Sequence, residues 1–335
     1  MWSVSLSYGL IFERLFLVKN WSFGRKFMIL VFVGFFAIIA VRYFMTSKDV
    51  EGYDGETTMS KNQILNLEIN GVIMNGKSFL KKLKKYKKDP AVKAIVIDIN
   101  SPGGAVGPSQ EIYYEIIRAK KETKKPIVCV STGLIASGGY YAALACDKIL
   151  VAPGAMIGSI GVIMEFANLE KLYEWAKVQR YTITSGKFKD SGSEYRPMRE
   201  DERELFQNMI DEVYLQFKTT VMTSRNLSDE VVSNYADGRV MTGATAVKLK
   251  FADAEGTFED AVRMAATMAK LGDDYKVVKP SKSKDSWFDM IFDNRDEDEL
   301  NTTAPTALFS SSRLIKNIFK TELLNQPLFM MPGYW

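Results

Sequence analysis

The chain contains no histidine in 335 residues. That absence removes the imidazole base of serine and cysteine hydrolase triads, histidine-ligated zinc and a histidine pH switch. Any acid-base catalyst must then be a carboxylate, a lysine, a tyrosine or a cofactor, and no cofactor or metal motif stands in the sequence. Cysteine is scarce. Cys129 and Cys146 are too few for a disulfide-dense scaffold or a four-cysteine metal site. Their apolar settings read as buried free thiols, with a single bridge left open. Charge of one sign is also lacking: 44 basic residues against 40 acidic give +4, too small an excess to imply a nucleic-acid partner. A chain that is 47% hydrophobic and 25% charged is nonetheless a folding chain.

What is present begins with one apolar run. Phe27 to Val41 holds 15 uncharged positions, and 19 when counted on to Met45. At about 1.5 Å per residue this spans roughly 28 Å, close to the hydrocarbon thickness of a bilayer when Arg42 snorkels to the interface. Arg14, Lys19, Arg25 and Lys26 precede it against Glu13 alone, so the positive-inside rule leaves residues 1–26 cytoplasmic and sends the rest outward. Bulky residues where a signal peptidase needs small ones favour an uncleaved anchor over residues 27–45. The expected location is a bacterial inner membrane, crossed once, with the body in the periplasm or exterior.

Residues 46–61 are polar and read as a linker. From 62 to 280 short β-rich runs alternate with helical stretches: strands at Ile64–Met74, Ala94–Asn100, Pro126–Ser131 and Lys148–Ala152, and helices at Ser109–Lys125 and Arg199–Arg225. That alternation predicts an α/β fold with largely parallel strands. Lys81 to Lys88 is lysine at six of eight positions, either a solvated helix face or a surface for anionic headgroups. Residues 281–335 read as an acidic link and an apolar tail that should dock somewhere.

Three glycine-rich stretches carry the chemistry. Asn100-Ser101-Pro102-Gly103-Gly104-Ala105 follows a strand, and its glycines let backbone N–H groups turn toward an anion, although a tight turn would look the same. Ser137 in Ala136-Ser137-Gly138-Gly139 stands at the mouth of a helix, as an exposed nucleophile or as an ordinary N-cap. In Gly158-Ser159-Ile160-Gly161 the serine hydroxyl could orient a polar neighbour. A nucleophilic serine here needs a non-imidazole base, and a desolvated lysine can serve. Lys187 and Lys189 follow the short strand Tyr181–Thr184, and spacing does not choose between them.

These stretches, in the order NSPGG, STGLIASGGYYAALACDKI, GSIGVI, SGKFKD and ADGRVMTGATAVKLKFAD, resemble the bacterial signal peptide peptidase SppA family over residues from about Asn62 to Met268. The resemblance implies a Clp protease/crotonase-like fold of repeated ββα units behind an N-terminal transmembrane helix. It also implies a homo-oligomer and a serine endopeptidase with a Ser/Lys dyad acting on cleaved signal peptides and other exported polypeptides. By motif, Ser137 is the nucleophile and Lys189 the general base. Gly104 and Gly138 are the oxyanion donors, with Gly103 the alternative to Gly104, and Ser159 orients the lysine. One departure stands out, Lys250 where the family often has glycine before its hydrophobic-Val-Asp ending. Two other readings share the fold: a crotonase-like acyl-CoA enzyme, disfavoured because its substrate is cytoplasmic, and a catalytically inactive membrane scaffold.

Overall fold

The computed structural model describes residues 62–280 and 326–331. The apolar run at 27–45, the linker at 46–61 and the acidic link lie outside them. Among the described residues no helix is long and apolar enough to cross a membrane.

Two strands set the frame. β1 (Gln63–Ile73) and β2 (Val92–Ala105) pair in parallel along almost their whole length. Both are β-branched runs buried on two faces, as Ala94 to Ile97 at 0% exposure show. Beyond β2 the sheet divides into two branches. β3 (Ile127–Ser131), β5 (Lys148–Val151) and β8 (Ala254–Glu255) continue from its first half, and β4 (Leu134–Ala136), β6 (Met156–Gly158) and β7 (Val240–Thr242) from its second. All these pairings are parallel except β6 with β7. β9 (Lys276–Val278) extends the edge beside β1. A strand in one branch, a strand in the other and then a helix is the ββα order expected.

The helices cover both faces. α1 (Lys77–Tyr86) buries Phe79 and Leu83 against β1, and α2 (Val106–Thr123) buries Ile112 and Ile116. The six-residue α3 (Gly138–Ala143) lies wholly inside the core. α4 (Glu170–Trp175) and the long α5 (Glu200–Arg225) follow, then α6 (Asp229–Ser233), α7 (Gly243–Lys248) and α8 (Phe258–Met268). α5 starts one residue later than its sequence pattern, with Glu202 accepting the Arg199 amide.

Three expectations are corrected. Asn100 to Ala105 is no turn: β2 runs on through both glycines, because β1 on one side supplies partners as far as Gly104. Tyr181–Thr184 is no strand, since no neighbour offers it an edge and Ile183 is fully exposed. Cys129 and Cys146 are bridged, their Cα atoms 5.9 Å apart. Register explains the bridge, as the Asp147 amide donates to the Ile127 carbonyl at 2.8 Å and so closes the loop between the cysteines.

The departure at Lys250 has a backbone consequence. Its φ is +66°, the left-handed region that glycine occupies without strain. The turn holds because the side chains around it are tied down. Arg225 Nε donates to the Lys250 carbonyl at 3.0 Å, and the buried Tyr140 hydroxyl to that of Phe251 at 2.8 Å. Asp253 accepts from Arg225, Lys148 and the Ile149 amide. Burial alone would push the Asp253 carboxyl up, and these donors outweigh it and hold it below the usual range. Lys250→Gly keeps every one of these bonds and removes the strain. It should stabilise the fold by about 1 kcal/mol, a rise of roughly 2–4 °C in thermal midpoint; a lowered midpoint would refute the strain.

Candidate active site

The ends of β2 and β4 meet at the site. Ser137 joins β4 to α3 with φ +51° and ψ −116°, a conformation costing a non-glycine residue on the order of 1–3 kcal/mol. Its amide donates to the Gly158 carbonyl at 2.8 Å and its carbonyl accepts from Tyr141, so the backbone is pinned from both sides. The hydroxyl does not cap the helix. Ser137 Oγ is buried and has no hydrogen-bond partner among the described residues. An N-cap serine would spend its oxygen on the first turn, so the capping reading fails and a strained, unspent hydroxyl remains.

Backbone approach around this hydroxyl is close. A Cβ on Gly103 would sit 2.6 Å from the Gly138 nitrogen, and one on Gly138 would sit 3.2 Å from the Gly104 nitrogen while striking Ser109 Oγ. Gly104 is hemmed by the Ile73 backbone on its other side. The three glycines expected as anion donors therefore do converge. They are not equivalent, however, since the Gly103 amide already donates to Ser101 Oγ at 3.1 Å. Gly104 and Gly138 are left as the pair, and Gly103 supplies the φ of +99° that lets β2 pass. Ser101, which sequence reading left without a role, donates in turn to the Gly71 carbonyl at 2.6 Å and fixes the loop.

A strand already lies on this lip. β10 (Leu328–Met330) pairs antiparallel with Gly103–Ala105 of β2. On its other side Leu328 exchanges both backbone bonds with Ile163, at 2.9 and 3.1 Å. The Phe329 carbonyl oxygen is where a Gly103 side chain would be, beside the Gly138 amide. The Phe329 ring is fully buried, stacked on Tyr141 at 5.1 Å and tilted against Phe217 at 4.7 Å. Residues 327–331 of the apolar tail thus lie in the cleft of their own chain. Tyr141 and Phe217 form the ring pocket; sequence marked them only as helix positions, since nothing local says that two helices will share one guest.

Ser159, at φ +50°, follows Gly158 at the end of β6, directly across from Ser137. Lys189 is elsewhere. Its neighbour Asp190 is held by Arg196, which also clamps the fully buried Glu202 near the start of α5. Arg199 binds the Lys187 carbonyl, and the Lys187 amine pairs with Asp201 at 2.7 Å. Fifteen residues of α5 separate Glu202 from Phe217, about 22 Å of helix. Within one chain Lys189 is exposed, has no ion pair among the described residues and makes no hydrogen bond to Ser137 Oγ. In the segment that precedes it Trp175 is 80%, Tyr181 84% and Ile183 100% exposed.

Comparison with known proteins adds a family. Residues 119–272 match the model for peptidase family S49. A Synechocystis protein bearing a protease name is 41% identical over 221 residues, covering 65% of this chain and 78% of that one. An Enterococcus faecium protein bearing the name signal peptide peptidase SppA is 34% identical over 245 residues, 69% of this chain and 71% of its own. The chloroplastic serine protease SPPA of Arabidopsis thaliana is 32% identical over 221 residues, 66% of this chain but 32% of its own.

The seating of β10 is testable without any activity. Truncating the chain after Gln326 should expose the amides of Val106 and Ile163, whose partners are the Pro327 and Leu328 carbonyls, and speed their hydrogen exchange by at least about tenfold. Unchanged exchange at both would show that the tail is not bound there.

Proposed function

We propose, for a chain that belongs to peptidase family S49 and is a serine peptidase, that it is a membrane-anchored endopeptidase whose Ser137 is served by a lysine from a second copy of the chain. The observation that carries the peptidase site is the seated tail. An extended segment runs antiparallel to β2, donates and accepts backbone bonds on both edges, and lays a carbonyl oxygen beside the Gly138 amide. A peptide substrate would add the same strand and present the same carbonyl. The ring pocket of Tyr141 and Phe217 then favours a large apolar residue on the acyl side of the bond cut.

The chemistry follows from the groups in place. Neutral Lys189 takes the Ser137 proton, Oγ bonds to the substrate carbonyl carbon, and the oxygen that gains charge is held by the Gly104 and Gly138 amides. Each such donor is worth roughly 3–4 kcal/mol in the transition state. Collapse breaks the carbon–nitrogen bond, the lysine returns its proton to the leaving amine, and water then releases the acyl group by the same path in reverse. Ser159, beside Ser137, orients the incoming amine. A lysine supplied in trans is the reading supported by the absence of any bond between Lys189 and Ser137 Oγ within one chain, and exposed Trp175, Tyr181 and Ile183 in the preceding segment suit a homo-oligomer contact.

The substrate class follows from the cleft and the anchor together: apolar, extended peptides held near a membrane, of which cleaved signal peptides are the abundant kind. The anchor at 27–45 places the cleft outside the cytoplasm. A crotonase-like acyl transfer has no observation in its favour, since the groove accepts a strand.

A fluorophosphonate probe on the full-length oligomer should label Ser137, and both Ser137→Ala and Lys189→Ala should abolish labelling and lower kcat/KM for an apolar peptide at least about a thousandfold. Lys187→Ala should leave both within a few-fold. A folded oligomer that neither labels nor cleaves would refute the peptidase mechanism in favour of a scaffold.

A further inference from the structure

The six lysines between Lys81 and Lys88 are one part of a larger basic edge. In a parallel sheet the C-terminal ends of the covering helices lie at the edge where the strands begin. α1 and α2 both obey this, so Lys84, Lys85 and Lys88 arrive beside Lys121 and Lys124. Contacts confirm the meeting: Lys125 Nζ donates to the carbonyls of Lys87 at 2.7 Å and Asp89 at 2.6 Å, and Lys87 pairs with Glu122 at 2.9 Å.

Three acidic groups beside these lysines are already engaged, while exposed Asp273 and Asp274 lie just before β9, next to Asn62. Glu122 holds Lys87, Asp147 holds Lys120 at 2.9 Å, and Asp89 accepts the Ala91 amide. Lys87 itself is buried, which corrects the picture of a uniformly solvated run. That leaves Lys81, Lys82, Lys84, Lys85, Lys88, Lys121 and Lys124 exposed, with no ion pair among the described residues. Lysines in the last turn of a helix offset its dipole, which accounts for Lys84, Lys85 and Lys121. It does not account for the others. Lys81, Lys84, Lys85 and Lys88 follow the spacing of one helix stripe, facing away from buried Phe79 and Leu83.

The chain enters the body at this same edge. The Gln63 amide donates to the Ala91 carbonyl at 2.8 Å, three residues from Lys88. The apolar run ends at Met45, eighteen residues before Gln63, so at most about 65 Å of extended chain joins the two. We infer that this basic edge rests on the membrane surface and binds the phosphates of anionic phospholipids, turning the body so that the Ser137 cleft, at the opposite ends of the strands, faces away from the bilayer plane. The inference rests on the anchor reading. Each lysine brought to an anionic surface is worth roughly fivefold in binding, and contact acts only within a Debye length, about 10 Å at 0.1 M salt.

The full-length protein, reconstituted into vesicles of phosphatidylcholine alone or with a large share of phosphatidylglycerol, separates the two claims. Retention in phosphatidylcholine vesicles reports the anchor. Amine acetylation read by mass spectrometry reports the edge: Lys81, Lys84, Lys85, Lys88 and Lys121 should label at least about fivefold more slowly with phosphatidylglycerol present. The difference should vanish at 1 M salt, and exposed Lys171 on α4 should label equally throughout. The variant Lys81→Glu, Lys84→Glu, Lys85→Glu, Lys88→Glu should erase the difference at Lys121 and Lys124. Equal labelling in both vesicles, slowing shared by Lys171, or protection by soluble DNA and not by vesicles would each overturn the inference. Were the anchor reading to fail, protein added to the outside of the vesicles would still show the phosphatidylglycerol difference if the edge binds.

Discussion

The structure depends on one close approach of backbone, where the end of β2 passes the start of α3. Gly103, Gly104 and Gly138 come so near one another that a side chain on any of them would strike main chain or a buried serine. That approach holds Ser137 at φ +51°, leaves its hydroxyl unspent, and sets two amides beside it. It also leaves an open edge on β2 just long enough for a three-residue strand. The unspent hydroxyl, the neighbouring amides and the strand-accepting groove are three consequences of the same packing.

The strain at Ser137 is sustained by its surroundings. β4 is tied to β2 on one side and to β6 on the other, α3 is entirely buried, and Tyr141 is wedged between Tyr113, Phe217 and the guest ring. Close packing of this kind holds the serine in place, as a reaction without reorganisation requires. The base is treated in the opposite way. Lys189 sits on an exposed loop anchored by Arg196, Arg199 and buried Glu202. Under the proposed arrangement in trans, a lone protomer would be inert.

Much of this was legible in the residues. Strands Gln63–Ile73 and Ile127–Ser131 and helix Glu200–Arg225 follow their apolar periodicity within two residues, because burial on fixed faces leaves a period. The glycine stretches marked the close backbone approach, since only glycine permits it. The continuation of β2 through Pro102 to Ala105 was hidden, because its support comes from partners distant in sequence, β1 and the tail. The ring pocket was hidden for the same reason, as Tyr141, Phe217 and Phe329 lie on three separate elements. The cysteine bridge depended on register between β3 and the turn before β5, which composition does not encode.

The central claim, that one copy's lysine serves another copy's serine, is tested most directly by complementation. Ser137→Ala and Lys189→Ala proteins, each inactive alone, are co-assembled in equal amounts and assayed on an apolar peptide. Catalysis in trans predicts that the mixture regains a substantial fraction of wild-type activity, because some interfaces pair an intact serine with an intact lysine. A mixture as inactive as its parents, in oligomers shown to contain both variants, would contradict it.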